Sequence, residues 1–581
     1  MKKILLAMGL SLMLSVGALA ENTTARFQKI LDDHWATYLS EYPAFAAGLG
    51  HHEYDGKLGQ NTPQAQKRRQ NYNAEILTRL AAIDPDDLTK TARLNYDVFR
   101  SERLMEQESA QFPGHLFAIT NREGWHMSFA QMPGNMSFLE QADYESYLGQ
   151  MADYPRFNDE NIAVLQEAVD KGYTQYCPSM AGYETSISSH IVTDVTKSVF
   201  YAPFRQFPGK ISPDKQKEIT KRGAKLIKDK VIPAYKKFYD FYQTVYAPAC
   251  RKTVGITSLK GGKDYYAHLI RYFTTTTMTP DEIHQKGLSE VKRLRGEMAG
   301  IIKKVGFKGS FKEFITFLRT DPRFYTDDPQ DLMEKAALIA KRMDGQLPKL
   351  FGFLPRNPYG LKEIPADIAE KTTTAYYMPS GGNGKTAGNY FVNTSLLKTR
   401  PLYTQEALGF HEAVPGHHLQ IAIQKELDMP MFRKYAGFTA FVEGWALYSE
   451  RLGLEVGFYT DPYSDFGRLT YEMWRACRLV VDTGMHAKGW SRQRAIDYMV
   501  ANTSLSVHNI TTEVDRYITW PGQALAYKIG ELRITALREK AQRELGDKFD
   551  LRAFHDTVLG NGALPIAILE KIVTDWIHTQ K

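Results

Sequence analysis

Pro415 places the hardest local constraint on this chain. It lies in LGFHEAVPGHHLQ, residues 408–420, and everything before it favours a helix. Thr404 can cap that helix, Glu406 stands in its first turn, and Ala407, Leu408 and Phe410 give it an apolar surface. A helix is therefore expected from Thr404 to about Val414. Proline then removes a backbone donor and collides with the carbonyl four residues back, that of His411. Gly416 follows, and it accepts whatever backbone angles the disruption needs. The chain has to bulge or turn here.

The histidines on either side of the break make the form of the bulge matter. On an unbroken helix, His417 would stand about 9 Å beyond His411 along the axis and His418 about 10.5 Å beyond. Zinc–nitrogen bonds are only about 2.0–2.1 Å long, so a straight helix cannot bring either pair onto one ion. If Pro415 and Gly416 loop out as an insertion, His417 returns to the place of a fourth residue, and the pattern becomes H-E-x-x-[PG]-H. Exclusion of one more residue would select His418 instead. His417 is preferred and His418 stays open.

A third ligand is expected from a neighbouring helix. GFTAFVEGWALYSERLGLEVG offers Glu443, 26 residues after His417. Glu412, beside the first histidine, is suited to take a proton from water as it attacks a carbonyl. A buried polar network of histidines and glutamates is the plain alternative, but this spacing on two apolar helices favours a metal. Zinc (Zn2+) is the expected cofactor, although two histidines and a carboxylate also accept manganese or cobalt.

The first twenty residues read as an export signal. MKKILLAMGLSLMLSVGALA has two lysines, a short apolar run and a small-residue exit at Ala18–Ala20. Cleavage leaves Glu21 as the new N-terminus, and no cysteine follows the cut to carry a lipid anchor. The expectation is an exported protein, periplasmic in a Gram-negative host, without stable membrane insertion. Export makes a disulfide possible, and Cys177 with Cys250 is the expected pair, both in loop-like settings. Cys477 lies in an apolar helix. The formal charge of +7 includes two from Lys2 and Lys3 and gives no case for nucleic acid. The oligomeric state is not readable.

The remainder reads as mainly α. Thr279, Pro280 and Glu282 form a helix start of the capping-box kind, and Asp328 before Pro329 repeats the scheme. One segment differs: TTTAYYMPSGGNGKTAGNYFVNTSLL is expected to be strand, glycine-rich turn and strand, the second strand over Ala387–Thr394. A soft boundary near Thr274–Thr279 divides an N-terminal helical half, 21–275, from a half carrying the chemistry, 276–581.

HEAVPGHHLQ, FVEGWALYSE, RLVVDTGMHAKGW and EVDRYITWPGQALAYKIG together resemble a large bacterial family long catalogued as a domain of unknown function. The likeness extends over the chain beyond the signal. Among zinc peptidases that family resembles carboxypeptidase Taq, thimet oligopeptidase and angiotensin-converting enzyme. The resemblance implies a large helical zincin-like fold with a cleft and a small β-sheet near the active-site helix. It implies His411, His417 and Glu443 as metal ligands, Glu412 as general base, and a late tyrosine, Tyr527, as oxyanion donor, with His486 and then His508 as competitors. It also implies an edge strand ahead of the zinc helix that binds extended peptide, with Tyr390 and Asn393 nearest the substrate. Arg516 and Lys528 could hold a terminal carboxylate. The function expected is a secreted zinc metallopeptidase of oligopeptides, as a carboxypeptidase or dipeptidyl carboxypeptidase. A zinc amidase or esterase and a non-catalytic periplasmic binding protein are the alternatives.

Overall fold

The computed structural model describes residues 21–370, 372–381 and 386–581, apart from the side chain of Asp367. The expected export signal, residues 1–20, lies outside the described residues. The fold is mainly helical with one small sheet, as the sequence implies. Among the described residues no helix is long and apolar enough to cross a membrane.

Local signals set several of the elements directly. The helix α1 (Pro280–Lys304) begins with a complete capping box: the Thr279 side chain accepts from the Glu282 amide, and Glu282 accepts from the Thr279 amide at 2.8 Å. Asp328 likewise caps the helix that opens at Pro329. Cys177 and Cys250 are disulfide-bonded, and Cys477 is a free, buried thiol.

Three strands form the sheet: β1 (Tyr359–Glu363), β2 (Ala375–Met378) and β3 (Gly388–Val392). Their order is β1-β3-β2, with β3 parallel to β1 and antiparallel to β2. β1 carries no strand signal of its own, because PRNPYGLKEIP is short and proline-flanked. Pairing with β3 alone makes it a strand. This corrects the expectation for β3, which is the central strand, while β2 keeps an open edge.

The helices that build the site follow in order: α2 (Gln405–Glu412), α3 (His417–Glu426), α4 (Thr439–Glu455), α5 (Pro462–Ala487), α6 (Val507–Thr519) and α7 (Ala526–Leu545). α5 is buried on almost every side from Phe466 to His486, so it serves as the central post of this region. Asp482 on α5 accepts from the Tyr266 hydroxyl and from the Gly522 amide at 3.2 Å, which fixes the turn before α7. α4 and α7 cross with backbones in contact. A Cβ at Gly530 would meet the Ala440 carbonyl oxygen at 1.8 Å, and one at Gly444 would meet Gly530 Cα at 2.5 Å. That crossing brings Glu443 and Tyr527 to the same cleft.

The N-terminal half contains an aromatic-rich core running from Leu58 to Tyr246. Its first helices, however, share a core with the other half: Phe27, Ile76, Tyr96 and Phe99 join the cluster that holds Phe410, Trp445 and Ile534.

Candidate metal centre

The helix expected to reach Val414 stops at Glu412 and resumes at His417, so Ala413–Gly416 leave it as a bulge. The Val414–Pro415 peptide is cis. The His418 amide reaches back five residues to the Ala413 carbonyl at 3.0 Å, closing the loop. Pro415 turns its carbonyl toward α4, where Trp445 Nε1 donates at 2.8 Å and Ser449 Oγ at 3.2 Å. Gly416 is required by crowding: a Cβ there would lie 2.0 Å from the His411 carbonyl oxygen and 2.4 Å from that of Phe410.

This bulge folds His417 back beside His411. Their ring centroids are 4.8 Å apart, with the rings nearly perpendicular. Glu443 Oε2 lies 3.3 Å from His417 Nε2 and 3.7 Å from His411 Nε2. One donor atom from each of the three residues falls within 4.8 Å of the others. Ligands about 2.0–2.1 Å from a tetrahedral zinc stand about 3.3–3.4 Å apart, so the group fits one ion. Glu443 Oε2 is buried and makes no hydrogen bond despite the nearby imidazole.

His418, the open alternative, belongs elsewhere. Its Nδ1 is 2.9 Å from the Tyr377 hydroxyl, its ring packs on Tyr359, and burial depresses its pKa to about 4. It ties α3 to the sheet.

Behind His411 stands a second carboxylate that the motif does not announce. Glu450 Oε1 is 2.9 Å from His411 Nδ1, and Arg475 sits 3.6 Å from the same oxygen. Burial would lower the His411 pKa, but the neighbouring carboxylates of Glu443 and Glu450 raise it to about 9. Glu450 thus holds the ring with Nε2 toward the cleft, an arrangement that in metal sites raises ligand basicity. α4 therefore supplies one member of the candidate ligand group, the support of another and the anchor of the bulge. The signal available in sequence was the seven-residue interval between Glu443 and Glu450, which places both on one helix face. Glu450→Gln is expected to leave the fold intact and to weaken zinc binding about 10- to 100-fold, measured by competition with a chromophoric chelator.

A cleft of about 630 Å³ opens over the three residues. Glu412 lines it, 8% exposed, beside His411 but outside the ligand group. Tyr527 also lines it, its ring stacked at 6.2 Å on that of His411 and its hydroxyl 3.4 Å from Arg516. All of β2, Ala375–Met378, lies along the wall.

Four expected contributors are not in the cleft, and two of them lie on the misread strand. Tyr390 is fully buried in the core beneath β3, and burial together with nearby Glu412 holds its phenol pKa well above the ordinary value. Asn393 is fully buried and donates to the carbonyls of Ala369, Thr372 and Thr373, so it ties the strand end to its neighbouring loop. His486 accepts from the Ile256 amide at Nδ1, has Nε2 2.9 Å from the Tyr517 carbonyl, and is kept neutral by burial at a pKa of about 3. Lys528 points away from Tyr527 into a buried set of carboxylates, 2.7 Å from Glu531 and 2.8 Å from Glu472. His508, the further competitor, contacts the Glu370 carbonyl at 3.2 Å.

Arg516 does line the cleft, and it belongs to a larger group. Glu513 receives Arg122 at 3.0 Å, Arg478 at 2.9 Å and Arg516 at 3.3 Å. Burial would raise the Glu513 pKa, but Arg516, Arg478 and Arg122 hold it far below the usual carboxylate range. Arg122 comes from the N-terminal half, and only the fold could have revealed it.

Residues 43–573 match a family described as bacterial proteins of unknown function (DUF885). The chain belongs to this family. The crystal structure of a candidate lipoprotein from Colwellia psychrerythraea is similar over 97% of this chain and 99% of that one, with TM-score 0.88 and 26% identity. The structure of a candidate lipoprotein of unknown function from Shewanella oneidensis is similar over 94% and 99%, with TM-score 0.69 and 18% identity, which is a likeness of fold alone. No curated protein matches the sequence. The family description assigns no activity.

Proposed function

We propose that this member of the family is an exported zinc metallopeptidase acting on oligopeptides. The observation that carries the reading is the convergence of His411, His417 and Glu443 on one point, with Glu443 Oε2 buried and otherwise unbonded. Zinc held there would supply Lewis acidity to a carbonyl oxygen and lower the pKa of water toward neutrality. The remaining work falls to the chain itself. Glu412 accepts the proton of the attacking water and returns it to the leaving nitrogen. Tyr527, steadied by Arg516, donates to the oxygen that gains charge. The open edge of β2 pairs with substrate backbone, which aligns an extended peptide across the cleft. A cleft of this size suits short or unfolded peptides rather than folded proteins. The candidate lipoproteins among the structural relatives support an extracytoplasmic site of action, and the signal-like first twenty residues support the periplasm.

A peptide-library digest analysed by mass spectrometry tests the proposal. Protein loaded with one equivalent of zinc is expected to trim peptides, and chelator-treated protein is expected not to. Cleavage unaffected by chelation would rule out the proposed metal, and zinc-loaded protein that cleaves esters or non-peptide amides alone would move the assignment to those substrates.

A further inference from the structure

Asp482 is a buried carboxylate that the proposed reaction leaves unused. It lies on α5 one turn beyond Arg478, has no exposed surface, and joins three elements. Its Oδ1 accepts from the hydroxyl of Tyr266, on the helix Gly262–Thr274, at 2.5 Å. Its Oδ2 accepts from the Gly522 amide at 3.2 Å. Arg516 favours its charge from longer range, and His486, one turn on, is neutral. Burial outweighs these partners and pushes the carboxyl up to about 7. A neutral group of the same shape would brace the fold at lower cost, because a buried charge is expensive. What a carboxylate adds is a stronger, directed grip on an amide.

The amide it grips lies between two groups of the cleft. Gly522 has a left-handed φ of +82°, which glycine adopts without strain. The next residue, Gln523, accepts from Arg516 Nη2, and Arg516 donates to the Tyr527 hydroxyl at 3.4 Å. On the other side, the Gly522 carbonyl accepts from the Leu525 amide at 3.2 Å and starts the single turn that runs into α7 and Tyr527. The placement of residues 520–523 therefore sets both partners of the Arg516–Tyr527 contact. Both line the cleft, and the Tyr527 ring stacks on His411.

We propose that Asp482 is a positioning residue for the reaction: by holding the Gly522 amide against α5 it fixes the turn at residues 520–523, and through that turn it places the Tyr527 hydroxyl beside the metal centre. This rests on the peptidase reading above, in which Tyr527 donates to the developing oxyanion.

A double-mutant cycle tests it on zinc-loaded protein, with the library peptide that the parent cleaves fastest. Tyr527→Phe is expected to lower kcat about 100- to 1,000-fold, as loss of one oxyanion donor does. Asp482→Ala is expected to lower kcat about 10- to 100-fold, the scale of a small misplacement, with KM and zinc affinity little changed. The double variant should be no slower than Tyr527→Phe alone, because Asp482 acts through that hydroxyl. Asp482→Ser takes the place of Asp482→Ala in the cycle if circular dichroism shows the alanine variant unfolded. Asp482→Asn separates position from stability. Its amide can still accept from Gly522 and meet Tyr266, so most of the lost rate should return. Because the folded-state pKa is raised, the parent loses stability through Asp482 as the pH climbs from 3.8 to about 7. The asparagine variant lacks that loss, so above pH 7 it should melt no lower than the parent. Losses that multiply in the double variant, or an Asp482→Ala that keeps the parent rate, would overturn the positioning role while the peptidase reading stands. A parent without zinc-dependent cleavage would overturn both.

Discussion

Glu412→Gln is expected to bind zinc as tightly as the parent and to hydrolyse peptides at least about 1,000-fold more slowly, at the upper part of the range for loss of a general base. The substitution preserves size and hydrogen-bonding capacity, but an amide cannot accept a proton from water. The expected separation of binding from rate follows from position. Glu412 lies in the cleft next to His411 on α2, yet the three atoms that converge belong to His411, His417 and Glu443. Metal content by mass spectrometry together with single-turnover kinetics checks this. A variant that keeps its rate would remove Glu412 from proton transfer, and one that loses zinc would mean that Glu412 helps hold the ion.

Gly416→Ala is the second large expectation, because it tests whether the bulge makes the site. The added Cβ would stand 2.0 Å from the His411 carbonyl oxygen, in a segment whose surroundings are buried and tied to α4 through Pro415. Neither backbone can give way cheaply, so a cost of about 1–3 kcal/mol is expected, as for other overpacked sites. Taken from the binding conformation, that is about a 5- to 150-fold loss of zinc affinity. Calorimetric titration with zinc measures it, and circular dichroism establishes that the variant is folded. Undiminished affinity in a folded variant would show that the bulge does not position His417.

The convergence of His411, His417 and Glu443 was legible in the sequence because the determinants of the bulge are local. Pro415 forbids the straight helix, Gly416 permits the crowding, and one geometry of the break superposes His417 on a fourth-residue position. The structure adopts that geometry, and it assigns His418 to Tyr377 and Tyr359. Capping boxes were legible for the same reason, and the disulfide because Cys177 and Cys250 stand in loop-like settings while Cys477 stands in an apolar helix. Misreadings arose wherever long-range pairing decides. Without β1, β3 looks like an edge strand, and Tyr390 and Asn393 then seem to face substrate. Tyr527 and Lys528 are adjacent in sequence, but neighbours on a helix project about 100° apart. One faces the cleft, and the other enters the Glu472–Glu531 cluster. Arg122 lies 391 residues before Glu513, so no spacing rule could have paired them.

X-ray absorption at the zinc edge, on protein reconstituted with one equivalent of zinc, tests the central claim most directly. Two imidazole nitrogens at about 2.0–2.1 Å and carboxylate oxygen in the first shell are expected, with one imidazole signature lost in His417→Ala and both kept in His418→Ala. Zinc that fails to bind at stoichiometric levels, or a first shell unchanged by His417→Ala, would contradict the account.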